Sequence, residues 1–204
     1  MGKAVLMSSV SVDGYMEGPG RSLAWHMVDD ELHTHFNGVL RTAGAFISGR
    51  VGYELEARVW PGADADPEST GPMVEFARMW RQKPKYVFSR TLTGAGWNTT
   101  VVREVDPEHV QGLKERHGDL YLGGADLSGA FLRLGLVDEI RLYVHPVLVG
   151  GGRLLFPGGD GLRALDLVEQ RVFGNGVALL RYAFPPGAEP GSGPGAGEGE
   201  RAVP

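Results

Sequence analysis

Leu120-Tyr121-Leu122-Gly123-Gly124-Ala125 is the stretch whose reading decides the fold. An apolar run of strand type breaks at two glycines, and Leu127, Phe131 and Leu134 then recur at helical spacing. Strand, glycine break and helix in that order form the βα junction of a parallel sheet. Glycine there lets a ligand approach the backbone, and the helix N-terminus favours an anion such as a pyrophosphate. The plainer alternative is a tight turn closing a packed sheet. This is not the three-glycine dinucleotide fingerprint, because Ala125 and Asp126 follow where a third glycine is needed. Asp126 reads as a cap for the helix.

Outward from this junction, strands and helices alternate. Residues 4–12 are apolar and β-branched and end at the turn Asp13-Gly14. Residues 29–43 place Leu32, Phe36, Val39, Leu40 and Ala43 on one helical face. Residues 45–48, 85–89, 100–104 and 119–122 read as short strands. A helix-like segment covers 51–57, another helix starts at Pro72, and Asp106-Pro107 supplies the cap and first turn of a third. Longer strands follow over 138–149, 165–173 and 177–184, the last two joined by Gly174-Asn175-Gly176. Alternation of this kind predicts an α/β fold with a largely parallel sheet and an antiparallel hairpin at its end.

The chain has 204 residues, and its 42% hydrophobic and 22% charged composition supports one domain with an ordinary core. Formal net charge is -5 with scattered Lys and Arg, which argues against a nucleic-acid footprint. Without cysteine there is no disulfide, thiolate nucleophile or Cys-based zinc site. His26, His33 and His35 lack the spacing of a supported metal motif, so no metal is expected. No apolar run approaches the roughly 20 residues that cross a bilayer, and nothing reads as a signal peptide; a cytoplasmic protein is expected. Residues 185–204 are rich in Gly and Pro with no aromatic residue after Phe184, which predicts a disordered tail behind a folded unit of 1–184.

Two further strand ends carry candidate chemistry. At Ile47-Ser48-Gly49-Arg50, glycine and a helix N-terminus would admit phosphate, with Arg50 as a forked cation; a turn whose Arg points to water is the alternative. At Val87-Phe88-Ser89-Arg90-Thr91, a hydroxyl beside a guanidinium suits the 2′-phosphate of NADPH, against an ordinary polar loop. Trp25, Trp60 and Trp80 read as core or rim residues, with Trp25 placed to face a substrate.

Jointly, the following motifs resemble a known family in order and context: Ser11-Val12-Asp13-Gly14-Tyr15, Gly49-Arg50 with Tyr53-Glu54, Lys85-Tyr86-Val87-Phe88-Ser89-Arg90, Gly123-Gly124, Gly135-Leu136-Val137-Asp138-Glu139, and Pro146 leading to Gly150-Gly151-Gly152. It is the bacterial dihydrofolate-reductase-like family that shares its domain with the C-terminal reductase of riboflavin biosynthesis (RibD). The resemblance covers 3–184. It implies a three-layer fold whose central, mostly parallel sheet of about eight strands is flanked by helices and ends in a β-hairpin. It also implies NADPH bound across the strand ends. Gly49 and Arg50 would then meet the cofactor phosphates, Ser89 and Arg90 the 2′-phosphate, and Gly123, Gly124 and Ala125 the pyrophosphate, with Leu127 nearby. The loop from Asp13 to Leu23 corresponds to a mobile lid.

True dihydrofolate reductases carry an acidic residue in the first helix; spacing back from Gly49 lands near His33 without gaps, Asp29 or Asp30 requires a short insertion, and either Asp also reads as an N-cap. Asp13 is therefore taken as a polar active-site contact and Asp30 as proton donor or ring anchor. The expected activity is hydride transfer from NADPH to a small pteridine or aminopyrimidine-type substrate. The alternatives are a dedicated 5-amino-6-(5-phosphoribosylamino)uracil reductase and an NADPH-binding module without turnover. A small-molecule substrate and a homodimer through the C-terminal strands are the expected partners, with no nucleic acid and no membrane.

Overall fold

The computed structural model describes residues 2–158 and 161–185. The tail expected beyond Pro185 lies outside the described residues.

The first strand, β1 (Ala4–Ser11), runs into a short strand β2 (Tyr15–Glu17) and then the helix α1 (Asp30–Arg41). Asp29 caps α1, accepting the Leu32 amide at 2.9 Å. Next come β3 (Ala45–Gly49), α2 (Arg50–Val59) and α3 (Gly71–Gln82), then β4 (Lys85–Phe88) and β5 (Thr99–Val102). The chain continues through α4 (Pro107–His117), β6 (Leu120–Leu122), α5 (Ala125–Arg133) and β7 (Glu139–His145). It ends with β8 (Arg153–Leu154), β9 (Asp166–Val172) and β10 (Ala178–Ala183).

Eight strands form one sheet in the order β5-β4-β3-β6-β1-β7-β10-β9. The first six are mutually parallel, and β10 and β9 are antiparallel additions, as expected from the alternation and the glycine-rich turn. Side-chain alternation along β1 divides the core into two layers. Ala4, Leu6 and Val10 pack with Val110 of α4 and Phe131 of α5. Val5 packs with Tyr53 of α2 and Trp80 of α3 on the other face. Each sealed side chain of this kind contributes roughly 1.5–3 kcal/mol.

One expectation is corrected, and one element was not foreseen. The strand expected over 138–149 stops at His145, because Pro146 has no N–H to continue the ladder and Gly150 and Gly152 take left-handed backbone. The chain instead turns back to pair β8 with β2, a two-stranded ribbon too short to carry a periodic signal. Its closeness explains Gly152: a Cβ there would overlap the Glu17 carbonyl oxygen.

Candidate active site at the carboxyl edge of the sheet

Connections diverge between β3 and β6. From β3 the chain leaves through α2 and α3 to β4 on one side, and from β6 it leaves through α5 to β7 on the other. The crevice at such a switch point is where parallel α/β sheets bind ligands. Here the sheet itself is open. The central strand β1 has neighbours on both sides, yet Met7, Ser8 and Ser9 stay half-exposed, as do Ser48 and Gly49 at the end of β3.

Both helices at the switch begin without a side-chain cap. The N-cap of α2 is Gly49 and that of α5 is Gly124, whereas α1 and α4 are closed by Asp29 and Asp106. The first amides of α2 and α5 thus lack caps from the chain. Gly124 sits at φ 94°, a conformation that penalises any side chain, and a Cβ at either Gly49 or Gly124 would meet nothing within 4 Å. Open space in front of two positive helix ends suits the phosphates of a dinucleotide. Asp126 does not cap α5 as expected, because it lies two positions beyond the N-cap Gly124; it pairs instead with Arg153 of β8. Ala125 is buried beside Gly124, and the Leu127 side chain is committed to the core with Phe131, so only its backbone faces the turn.

The cations are placed differently from one another. Arg50 is exposed and bonded to Glu54 at 2.8 Å, one helical turn on, so the carboxylate competes for its guanidinium. Ser89 is buried, and its Oγ accepts the amides of Thr91 and Leu92 at 3.2 and 3.0 Å, folding the loop after β4. Arg103, which sequence reading passed over, donates to the Ser89 and Leu92 carbonyls and fixes that loop from β5. Arg90 is exposed on it, with no ion-pair partner among the described residues. The fold thus brings Gly49, Ser89, Arg90, Gly123 and Gly124 to one edge.

The two acids behave otherwise. Asp13 accepts from Ser11 Oγ at 2.6 Å and from the amides of Gly150 and Val149 at 2.8 and 3.1 Å. The Ser11 hydrogen bond, with those amides, holds its carboxyl down to about 2. Asp13 is therefore an ionised tie between the end of β1 and the 146–152 loop, and it has no proton to give at neutral pH. Asp30 is exposed in the first turn of α1 and has no ion-pair partner among the described residues. His33 packs edge-on against Trp60 at 5.9 Å; burial lowers its pKa, with Asp30 and Glu75 pulling the other way.

A cleft of about 490 Å³ lies beside this edge, between α5 and the β2–β8 ribbon, lined by Ala125, Gly129, Arg133, Tyr15 and Arg153.

Residues 3–179 match the RibD C-terminal domain family. The chain belongs to that family. It resembles the uncharacterised protein YyaP of Bacillus subtilis strain 168, with 32% identity over 88% of this chain and 94% of that one. Among solved structures, a protein from Shewanella sp. PV-4 assigned to riboflavin biosynthesis superposes with a TM-score of 0.72 at 20% identity, covering 90% of this chain and 99% of that one. A Thermotoga maritima diaminohydroxyphosphoribosylaminopyrimidine deaminase/5-amino-6-(5-phosphoribosylamino)uracil reductase superposes with a TM-score of 0.61 at 13% identity, over 90% of this chain and 56% of that one. These two show a shared fold. Membership in the RibD C-terminal domain family makes the chain a reductase-type domain. Among the described residues no helix is long and apolar enough to cross a membrane, and no cluster of His, Asp or Glu is arranged to hold a metal ion.

Proposed function

We propose that this chain is an NADPH-dependent reductase acting on a small heterocycle of pteridine or aminopyrimidine type. The observation that carries the reading is the pair of uncapped helix N-termini, at Gly49 and Gly124, flanking the topological switch. Their amides would receive the cofactor phosphates, and Arg90 with the Ser89 hydroxyl would meet the 2′-phosphate that distinguishes NADPH from NADH. When bound, NADPH supplies the hydride; the protein orients the partners and excludes water. Asp13 contributes by holding the 146–152 loop. Asp30 is the acid left to anchor a ring or hand on a proton.

A fluorescence titration with NADPH and NADH tests the frame. Tight NADPH binding that Arg90→Ala reduces to the level of NADH supports it. Absence of binding by either nucleotide overturns it.

The 5-amino-6-(5-phosphoribosylamino)uracil reductase reading draws support from the family match and from Arg133 in the cleft beside α5, a cation suited to a substrate phosphate, whereas Arg153 there is already engaged by Asp126. It requires that the phosphorylated substrate bind far better than its dephosphorylated form. A binding module without turnover would take up NADPH and leave it unoxidised against a panel of pterins and pyrimidines. For assembly we favour a second copy of this chain on the β9 edge, where Leu167 and Val172 are 52% and 72% exposed on a strand paired on one side only.

A further inference from the structure

Among the described residues, seven buried side-chain nitrogen or oxygen atoms have no hydrogen-bond partner. Four are scattered singly, on Asn37, Ser69, Ser128 and Arg163. The other three meet in one place: Trp25 Nε1, His26 Nε2 and His145 Nε2. Their rings form a triangle, with centroid separations of 4.2 Å for Trp25–His26, 5.5 Å for Trp25–His145 and 5.3 Å for His26–His145. A buried polar atom without a partner costs about 1–3 kcal/mol, so three in contact mark a position where a polar partner belongs.

The donor and acceptor pattern of the cluster follows from its other bonds. His145, fully buried at the end of β7 and in register with Ser11, accepts the Met27 amide on Nδ1 at 3.0 Å. Its proton therefore sits on Nε2, which is a donor. Trp25 Nε1 is a donor by nature. The Met16 backbone favours a proton on the His26 ring, and Nε2 is the nitrogen left without a partner, so we assign that proton to Nδ1 and Nε2 as an acceptor. Burial holds His145 at about 4 and lowers His26 as well, so both rings are neutral at pH 7. Two neutral donors and one acceptor do not suit a phosphate or carboxylate. They match a carbonyl oxygen with a ring N–H beside it.

We propose that Trp25, His26 and His145 recognise the lactam edge of a planar heterocyclic substrate. His145 Nε2 and Trp25 Nε1 donate to its carbonyl oxygen, and its ring N–H donates to His26 Nε2. This rests on the reading of the strand edge as a reductase site, because the cluster lies next to the half-open strand β1. His145 is carried by the sheet, while Trp25 and His26 ride on residues 18–29, a segment whose regular structure is a single 3₁₀ turn at Pro19–Arg21. That segment crosses the end of β7 and is tied down through Met27, whose carbonyl accepts from Asn175 of the terminal hairpin at 2.7 Å. The proposed contacts thus combine one donor fixed on the sheet with a donor and an acceptor carried by the 18–29 segment.

The test is a ¹⁵N-edited NMR titration of the full chain with 5,6-diaminouracil and with its 1,3-dimethyl derivative, which keeps the carbonyls and lacks the ring N–H. NADPH affinity is measured in parallel. Saturable shifts of the Trp25 indole and His145 imidazole signals by 5,6-diaminouracil are expected, with the methylated ring bound about tenfold more weakly or worse. His145→Asn keeps an acceptor for Met27 and removes the Nε2 donor; Trp25→Phe keeps a ring and removes the N–H. Each weakens 5,6-diaminouracil by about tenfold while NADPH affinity holds. Silent cluster signals, equal binding of the methylated ring, or no binding at millimolar concentration overturns the proposal. Shifts in the cluster with no NADPH binding would uphold this site and remove the reductase reading; NADPH binding with a silent cluster would do the reverse.

Discussion

The carboxylate of Asp13 accepts the amide of Gly150 at 2.8 Å across 137 residues of chain, joining the end of the central strand to the loop that follows β7. The joint is ionic in character. Because the folded carboxyl is depressed to about 2, chiefly by Ser11 Oγ, its stabilising effect is present above the unfolded carboxylate pKa of about 4 and is lost as pH falls towards 2. Asp13→Ala is expected to lower the melting temperature at pH 7 and raise KM more than it lowers kcat, with NADPH affinity unchanged. Unchanged melting and steady-state kinetics would count against the joint.

Gly124→Ala forces a Cβ onto backbone at φ 94° in front of α5. A destabilisation of roughly 1–2 kcal/mol in urea denaturation is expected, together with weaker NADPH binding. Gly62, where a Cβ also meets open space and φ is not left-handed, provides the control: Gly62→Ala leaves NADPH binding intact.

Arg90→Ala removes a charge-assisted hydrogen bond to phosphate. NADPH affinity is expected to fall about 10- to 100-fold, with NADH affinity unchanged, in paired titrations. Arg50→Ala falls short of that loss, because Glu54 already engages Arg50.

Glu139 is 2% exposed between Lys3, Arg141 and Arg181. Burial pushes its carboxyl up, and the hydrogen bonds from Arg181 and Arg141 overcome this and hold it at about 2. Its stabilisation therefore persists above the unfolded value of about 4.3 and disappears as pH drops through the folded one. Glu139→Gln, which takes the buried charge away from the partly exposed Arg141 and Arg181 while Arg181 keeps Glu169, is expected to cost about 1.5–3 kcal/mol in denaturant titration at pH 7. Flat stability of the wild type from pH 5 to 2 would remove this account.

Light scattering at micromolar concentration should return twice the chain mass, and Val172→Lys on the exposed edge strand should return the monomer. A wild-type monomer discards the assembly proposal.

The sheet was legible because its signals are local. Hydrophobic periodicity marked α1, and Gly123-Gly124 and Gly174-Asn175-Gly176 marked a βα junction and a hairpin from three or four neighbouring residues each. The roles of single polar side chains were not legible, since they depend on partners far away in sequence. Asp13 reads as a free acid until the 146–152 loop folds back onto it. Asp126 reads as a cap until Arg153 takes its charge. His145 gave one sequence signal, a histidine alternating with Tyr143 on a strand, and its tautomer depends on a backbone amide 118 residues away.

The parts at the carboxyl edge fall into two sets by what anchors them. Gly49, Ser89, Arg90 and Gly124 follow the ends of β3, β4 and β6, while Trp25, His26 and His145 are anchored by β7 and the terminal hairpin. The two sets ride on different strands and loops, so a substitution in one leaves the anchors of the other in place. On the reading proposed above, lineages built on this scaffold are thus able to keep one redox currency while exchanging the molecules on which they spend it.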